Sequence, residues 1–144
     1  RTMIMFGPGK NFSPGSLVDW ALEALPKQQE MRLVNDQFRA PTWAADLAWG
    51  CIQICQLDTR GIFHLSGPET LSVVNIVRRI AEHCDFASDK IVEISSETLN
   101  QSAKRPPRTG FILEKANKVL NYNPKAIEET IDLLRMANAT RTSI

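Results

Sequence analysis

Short apolar runs alternate along this chain with longer segments of helical periodicity. The runs cover residues 2–6, 31–35, 61–67 and 90–95, and several of them end at glycine, proline or asparagine. Strands that alternate with helices predict an α/β fold in which some strands pair in parallel. Three or four strands make only a small sheet, so we expect a small mixed sheet with flanking helices. The apolar run Met3 to Phe6 reads as a buried strand, and its position just after Arg1 suggests a piece of a longer protein.

Apolar residues at steps of three and four predict the helices. One helix should begin after Ser13 or Ser16 and end at Pro26, and another should follow a cap at Ser72. Two short helices are expected over 113–120 and 127–136. The strongest pattern predicts a helix with a wide apolar face that must pack against another part of the protein, made of Ala44, Leu47, Ala48, Cys51, Ile52 and Cys55.

Composition excludes several classes of function. The chain has 17 basic and 16 acidic residues in 144, so it lacks the overall charge that favours nucleic acid or an anionic membrane. The three cysteines and two histidines lack the spacing of a zinc site, and too few cysteines are present for a disulfide framework. Residues 47–57 form an apolar run far shorter than a membrane span. We therefore expect a soluble protein of the reducing cytoplasm, with no metal and with any anion site confined to a local cluster.

Three segments could carry chemistry. Residues 6–12 place glycines after a strand, but they match no nucleotide-binding loop, so a tight turn is the simpler interpretation. Residues 103–110 gather Lys104, Arg105 and Arg108 around two prolines, which could hold phosphate oxygens in a rigid loop or form a solvated surface. Residues 34–48 hold polar side chains ahead of a helix; they either bind a ligand or, with Thr42 as N-cap, only start the helix.

Four segments in this order resemble the carboxyl-terminal half of the extended short-chain dehydrogenases. They are residues 1–12, 34–48, 61–73 and 105–124. Within that family they look most like the dTDP-4-dehydrorhamnose reductases and the NAD-dependent epimerases. The resemblance implies the carboxyl-terminal part of a Rossmann-like fold, with residues 1–144 as the substrate-binding portion of a longer chain. It also implies that NAD or NADP is bound mainly by an amino-terminal half, which this sequence does not contain.

The resemblance also implies roles for individual residues. Arg105 matches an arginine that meets the substrate diphosphate, whereas Gly7, Pro8, Asn11 and Phe12 match a loop that borders cofactor and sugar. A second matching segment lies beside the substrate pocket and contains Asp36, Gln37, Pro41 and Thr42. Rhamnose-type reductases usually have glycine where Arg39 stands, so Arg39 either contacts an unusual substrate or points to solvent.

The function implied by this resemblance is that of the substrate-binding part of an NAD(P)-dependent reductase or epimerase that acts on a nucleotide-activated deoxysugar. The family's catalytic Tyr-x-x-x-Lys pair is absent, because the single tyrosine, Tyr122, has Ala126 where lysine would stand. This chain alone should therefore be inactive, with the amino-terminal half and a second copy in a homodimer as its expected protein partners. The alternatives are a non-catalytic cofactor-binding or regulatory subunit on the same fold, and a free-standing interaction module without a large exposed apolar patch.

Overall fold

The computed structural model describes residues 1–8, 15–99, 103 and 105–142. The strands are β1 (Met5–Phe6), β2 (Met31–Val34), β3 (Phe38–Arg39), β4 (Thr42–Trp43), β5 (Leu71–Ser72) and β6 (Ile91–Ile94). The helices are α1 (Leu17–Ala24), α2 (Ala44–Gln56), α3 (Val73–His83), α4 (Glu114–Leu120) and α5 (Ile127–Thr142), with one turn of 3-10 helix at Ser96–Leu99. No helix in these ranges is both long and apolar enough to cross a bilayer.

The strands form three two-stranded sheets, so the α/β prediction is confirmed and the pairing is mixed. β1 pairs in parallel with β4, β2 in parallel with β6, and β3 antiparallel with β5. Residues 61–67, predicted as a strand, form no strand in the described chain. Within the described chain the only backbone groups that bond to the backbone of this segment are those of Arg1, whose amino group donates to the Phe63 carbonyl and whose carbonyl accepts from the Leu65 N–H. One paired residue is too short a contact for a strand ladder.

The larger core lies between α1, β2, α3 and α5. α3 supplies its centre, because Ile76, Val77 and Ile80 are completely buried. The Ser72 side chain caps α3 as predicted, by accepting a hydrogen bond from the backbone N–H of Asn75. α5 extends beyond the predicted end at Met136, since residues 137–142 contain neither glycine nor proline to stop a helix.

A smaller core joins residues 61–67 to α2 and α4. Tyr122 is buried there and donates its hydroxyl hydrogen bond to the Ser66 carbonyl at 3.2 Å. Burial raises the pKa of the Tyr122 hydroxyl, so the group stays a neutral structural donor. Gly50 of α2 faces the same core, and a Cβ at this position would lie 2.9 Å from Leu65 Cδ1. α2 can therefore lie this close to Leu65 and Tyr122 only because residue 50 is glycine.

The structure corrects the predicted burial of α2 and β1. The buried residues of α2 are Asp46 and Gly50, whereas Ala48, Cys51, Ile52 and Cys55 are exposed. The reason is that the Asp46 carboxylate accepts hydrogen bonds from the Lys125 backbone N–H and ammonium, at 2.8 and 2.9 Å, which turns this side of α2 inward. In β1 only Phe6 is buried, because the short strand pairs on one side alone and leaves Ile4 and Met5 exposed.

Candidate functional site

Two of the predicted candidate segments meet at β3. The Phe38 N–H donates to the Pro107 carbonyl at 2.6 Å, and the Phe38 carbonyl accepts from the Thr109 N–H at 3.1 Å. The Arg108 guanidinium lies 5.2 Å from the centre of the Phe38 ring, within range of a cation–π interaction. These contacts fix the arginine-proline loop, residues 103–110, against β3 in the polar segment, residues 34–42. Phe38 and Thr109 are 71 residues apart in sequence.

Arg39 is buried at the centre of this junction. Its side chain is only 8% exposed, so the predicted alternative in which it points to solvent is wrong. One terminal nitrogen, Nη1, donates to the carbonyl oxygens of Phe38 and Pro106 at 2.7 and 3.2 Å. The other, Nη2, donates to the Gln37 Oε1 atom at 2.9 Å. The planar guanidinium therefore links β3 to Pro106 and to the side-chain amide of Gln37, which a glycine at position 39 could not do.

The positive charge of Arg39 has no carboxylate partner in the described part of the chain. Burial lowers the pKa of the Arg39 guanidinium, and the nearby charge of Arg105 lowers it further. Arg105 itself is exposed, and no ion pair or hydrogen bond to a described residue holds its side chain. Two arginines that repel each other, one of them buried, form a place where an anion would relieve an unfavourable charge arrangement.

Asp36 and Gln37 are occupied by protein contacts. The Asp36 carboxylate accepts from the Ser96 N–H at 3.0 Å and from the hydroxyl groups of Ser96 and Ser95 at 2.8 and 3.2 Å. Hydrogen bonds from the Ser96 hydroxyl and then the Ser96 N–H lower the pKa of Asp36. The buried Gln37 side chain holds Arg39, and its backbone carbonyl accepts from the Val73 N–H at the start of α3. Both side chains are therefore held in place by contacts within the protein.

Pro41 and Thr42 both contact Gly67, at the end of the segment 61–67. Thr42 is buried, donates its hydroxyl hydrogen bond to the Ala40 carbonyl and accepts from the Gly67 N–H at 3.2 Å. The predicted N-cap role of Thr42 is wrong, because Trp43 is the capping residue and makes no side-chain capping bond. A Cβ at Gly67 would lie 1.9 Å from the Pro41 carbonyl oxygen, so this contact requires glycine.

The loop after β1 is only partly described. Gly7 and Pro8 are half-buried at the end of β1, and a Cβ at Gly7 would lie 2.9 Å from the Ala44 Cβ at the start of α2. Glycine at this position is thus explained by the approach of α2. The candidates Asn11 and Phe12 lie outside the described residues, as does Lys104.

Among the described residues the two histidines have separate partners. His64 is half-buried and stacks on Phe111 with ring centres 4.3 Å apart. His83, at the end of α3, has its Nε2 atom 2.9 Å from the Asp132 carboxylate. In the ranges that the structure describes, no three histidine, cysteine or acidic residues form a group that could hold a metal ion.

Sequence reasoning missed the serines and Phe38. Ser95 and Ser96 hold Asp36 from the end of β6, and the Phe38 backbone pairs with the arginine loop. These contacts join residues that are far apart in sequence and of types that are common on any surface. No local spacing could have indicated them, because only the parallel pairing of β2 with β6 brings Asp36 to the serines.

Comparison with known proteins gives a consistent family. Residues 1–139 match the family model of the RmlD substrate binding domain. The spore coat polysaccharide biosynthesis protein SpsK of Bacillus subtilis is 28% identical over 129 residues, which are 90% of this chain and 40% of that protein. The matched curated relative is therefore much longer than this chain.

Solved structures share the fold. The dTDP-4-dehydrorhamnose reductase of Bacillus anthracis, in complex with NADP, has a TM-score of 0.77 at 21% identity, covering 94% of this chain and 47% of that one. The UDP-glucuronic acid 4-epimerase of Bacillus cereus, in complex with UDP-glucuronic acid and NAD, has a TM-score of 0.70 at 15% identity, covering 100% and 45%. This chain spans about half the length of these proteins. The match over residues 1–139 shows that it belongs to the RmlD substrate binding domain family.

Proposed function

We propose that this chain is the substrate-binding portion of an NAD(P)-dependent reductase or epimerase that acts on a nucleotide-activated deoxysugar. The observation that carries the proposal is the pair Arg39 and Arg105: Arg39 donates to the carbonyl of Pro106, which directly follows Arg105, and neither arginine has a carboxylate partner among the described residues. A diphosphate is the part of a nucleotide sugar that carries negative charge. Family membership and the arginine pair therefore support the same class of substrate.

The geometry suggests a division of work between the two arginines. Arg105 is exposed and has no side-chain partner in the described chain, so its five N–H donors are available to phosphate oxygens. Arg39 already uses three acceptors, and it contributes mainly by holding Pro106 and Gln37 in place and by its charge. A loop that is fixed before binding loses less conformational entropy when the ligand arrives.

The sugar side of the pocket would be formed by the polar segment and the loop after β1. Gln37 and Arg39 are locked by protein contacts, so they offer a shaped wall, and Pro41 and Thr42 fix its far end against Gly67. Asp36 supports the wall from behind through Ser95 and Ser96. Asn11 and Phe12 remain proposed sugar contacts, and Gly7 and Pro8 remain proposed neighbours of the cofactor.

The cofactor, NAD or NADP, would supply or accept the hydride when it is bound by an amino-terminal half. Within the described chain no tyrosine is placed for proton transfer, since Tyr122 is buried, donates to Ser66 and has a raised pKa. We therefore expect residues 1–144 to bind and orient the substrate and to turn over nothing without the other half.

Titration calorimetry of the full-length protein with a dTDP-sugar tests the proposal. We expect Arg105→Ala to weaken binding by about 10- to 100-fold, because a charged hydrogen bond to phosphate contributes about 1.5–3 kcal/mol. Arg60→Ala is the matched control, since Arg60 is also an exposed arginine and lies beyond the end of α2. The affinity of the Arg60→Ala variant for the dTDP-sugar should equal that of the wild type. Unchanged affinity in Arg105→Ala would remove the diphosphate role, and the absence of any binding by the wild type would remove the proposed function.

A further inference from the structure

A cavity of about 400 Å³ lies between α2 and the segment that joins α4 to α5, residues 121–126. We call it the Trp49 cavity. Its walls come from Ala45, Asp46 and Trp49 of α2 and from residues 121–123 and 125 of the joining segment. Sites that bind small molecules have volumes of about 300–1,000 Å³, so this one is large enough for a single ring. None of its residues belongs to the candidate substrate site, which therefore does not explain the cavity.

Trp49 provides an aromatic wall that is open to solvent. The residue is 39% exposed, and its ring stacks on the buried Tyr122, with ring centres 6.4 Å apart and planes 30° from parallel. No flat ligand fits between two rings in this contact, so a ligand can lie only against the open part of Trp49. The Trp49 indole N–H makes no hydrogen bond with a described residue and remains available to that ligand.

Hydrogen-bond donors and acceptors are both held beside this ring. The Asp46 carboxylate accepts one bond at each oxygen, from the Lys125 N–H and ammonium, and each oxygen keeps a second lone pair. The Lys125 ammonium has two further N–H groups. The side-chain nitrogen of Asn121 donates to no described residue, whereas its Oδ1 atom and backbone carbonyl accept from the Asn123 amide at 3.1 and 3.2 Å. The Asn121 amide is thus fixed in place with its N–H groups unused.

The charges of the cavity cancel. Asp46 and Lys125 form an ion pair, and the other lining residues are uncharged. A phosphate therefore finds no excess positive charge here, in contrast to the junction at Arg39 and Arg105. The cavity instead matches a neutral ring with an apolar face and an edge that both donates and accepts hydrogen bonds. A pyranose sugar has this chemistry, because C–H groups form its faces and each hydroxyl of its rim is both a donor and an acceptor.

We propose that the Trp49 cavity binds a neutral pyranose unit, with the open part of the Trp49 ring against the sugar and with Asp46, Asn121 and Lys125 bonded to its hydroxyl groups. A free monosaccharide and the end of an oligosaccharide offer the same chemistry, so either can be the ligand. Such a site goes beyond the proposed function, since it recognises no phosphate and is lined entirely by residues of this chain.

Saturation-transfer NMR of the full-length protein tests the site, with methyl α-D-glucopyranoside, methyl α-L-rhamnopyranoside and maltotriose as probes. We expect at least one probe to bind with a dissociation constant on the order of 1 mM, and a preference for maltotriose would indicate an oligosaccharide end. Trp49→Ala should weaken this binding by about 10-fold, because it removes the stacking surface. Trp20→Ala is the matched control, since Trp20 is similarly exposed, at 41%, and lies outside the cavity. The sugar affinity of the Trp20→Ala variant should equal that of the wild type.

Asn121→Gly is a second variant, and it leaves the packing of Trp49 on Tyr122 intact. Asn121 has a φ of 53°, a left-handed conformation that glycine adopts readily, so the variant keeps the backbone and loses only the amide. It should weaken sugar binding by about 2- to 10-fold, as expected for the loss of one hydrogen bond between neutral groups. This variant keeps the test decisive even if Trp49→Ala does not fold.

Three outcomes would overturn the proposal. The first is the absence of saturation transfer to all three probes, and the second is sugar binding that neither Trp49→Ala nor Asn121→Gly weakens. The third is saturation transfer to thymidine, but to none of the sugars, that Trp49→Ala abolishes, because the cavity would then bind a base.

Titration with a dTDP-sugar separates this site from the proposed function. Trp49→Ala should leave the affinity for the dTDP-sugar unchanged. A loss as large as that of Arg105→Ala would overturn the proposal, because the cavity would then be part of the nucleotide-sugar site. A wild type that binds the neutral sugars but no dTDP-sugar would support the cavity as a sugar site and remove the proposed function.

Discussion

Asp36 and Arg39 are close in sequence, yet the structure gives their charges unlike surroundings. The Asp36 carboxylate receives hydrogen bonds from a backbone N–H and two hydroxyl groups. The buried Arg39 guanidinium bonds only to neutral oxygens and lies near a second arginine. The first charge is stabilised within the described chain itself, and the second would be stabilised by a bound anion. Only the second therefore has reason to attract a substrate.

The free energy of unfolding should fall at acid pH in part because Asp36 becomes protonated. Hydrogen bonds from Ser96 hold the folded pKa of Asp36 below its ordinary value, so its stabilising contribution is complete above the unfolded pKa, about 4. That contribution is lost as the pH falls through the lowered folded pKa. We expect Asp36→Asn to reduce the free energy of unfolding at pH 7, and the gap from wild type to narrow progressively below about pH 4.

Urea unfolding at a series of pH values from neutral to about pH 3 measures this gap. Asp89→Asn is the control, because Asp89 is an exposed aspartate whose carboxylate makes no hydrogen bond or ion pair with the described residues. Its stability should follow the wild type at every pH. A gap between Asp36→Asn and wild type that stayed constant over the whole series would show that the carboxylate charge of Asp36 does not stabilise the fold.

Among the secondary-structure elements, helices with caps and one-sided stripes were predictable, and short strands were not. α1 and α3 begin directly after Ser16 and Ser72, each of which accepts a hydrogen bond from the backbone three residues later. The buried side of α2 was mispredicted, because apolar periodicity shows that a helix has an apolar face but not whether the rest of this chain covers that face. The buried side is set by the contacts of Asp46 with Lys125 and of Gly50 with Leu65, and both partners are distant in sequence.

The cap of α1 gives a measurable prediction. Ser16 and Asp19 form a capping box, in which the Ser16 hydroxyl accepts from the Asp19 N–H and the Asp19 carboxylate accepts from the Ser16 N–H. Ser16→Ala should lower the free energy of unfolding by about 0.5–2 kcal/mol, as measured by chemical denaturation. Ser16→Asn keeps a good capping side chain and should lose much less. Equal losses in both variants would assign the effect to packing at residue 16 instead of to the cap.

The candidate site, in contrast, depends on contacts that no local pattern encodes. The sequence indicated that Arg105 and the segment around Arg39 were candidates, and the structure places them at one junction through the backbone of Phe38. Burial of Arg39 could not be predicted, because it requires the Pro106 carbonyl, 67 residues away, as an acceptor. Local rules therefore identified the residue types, and only tertiary structure joined them.

Across the protein, stability should be unevenly distributed between the two cores. The larger core packs α1, β2, α3 and α5 around completely buried residues of α3, whereas the smaller core holds α2 by one side only. Regions with less buried apolar contact open at lower free energy and exchange their amide hydrogens faster. In the 144-residue chain we expect the amides of α3 and β2 to exchange slowest and the amides of α2 to exchange faster than those of α3.

Hydrogen exchange followed by mass spectrometry can compare this chain with the full-length protein. If the amino-terminal half that the proposed function requires packs on the exposed side of α2, at Ala48, Cys51, Ile52 and Cys55, exchange in residues 44–56 should slow in the full-length protein. It should slow by much more than exchange in residues 73–83, which are protected in both. The α3 amides serve as the internal reference because they lie in a core that the present chain completes by itself. Equal slowing of both segments would mean that the added half raises global stability without touching α2, and unchanged exchange in α2 would leave its apolar side without a cover.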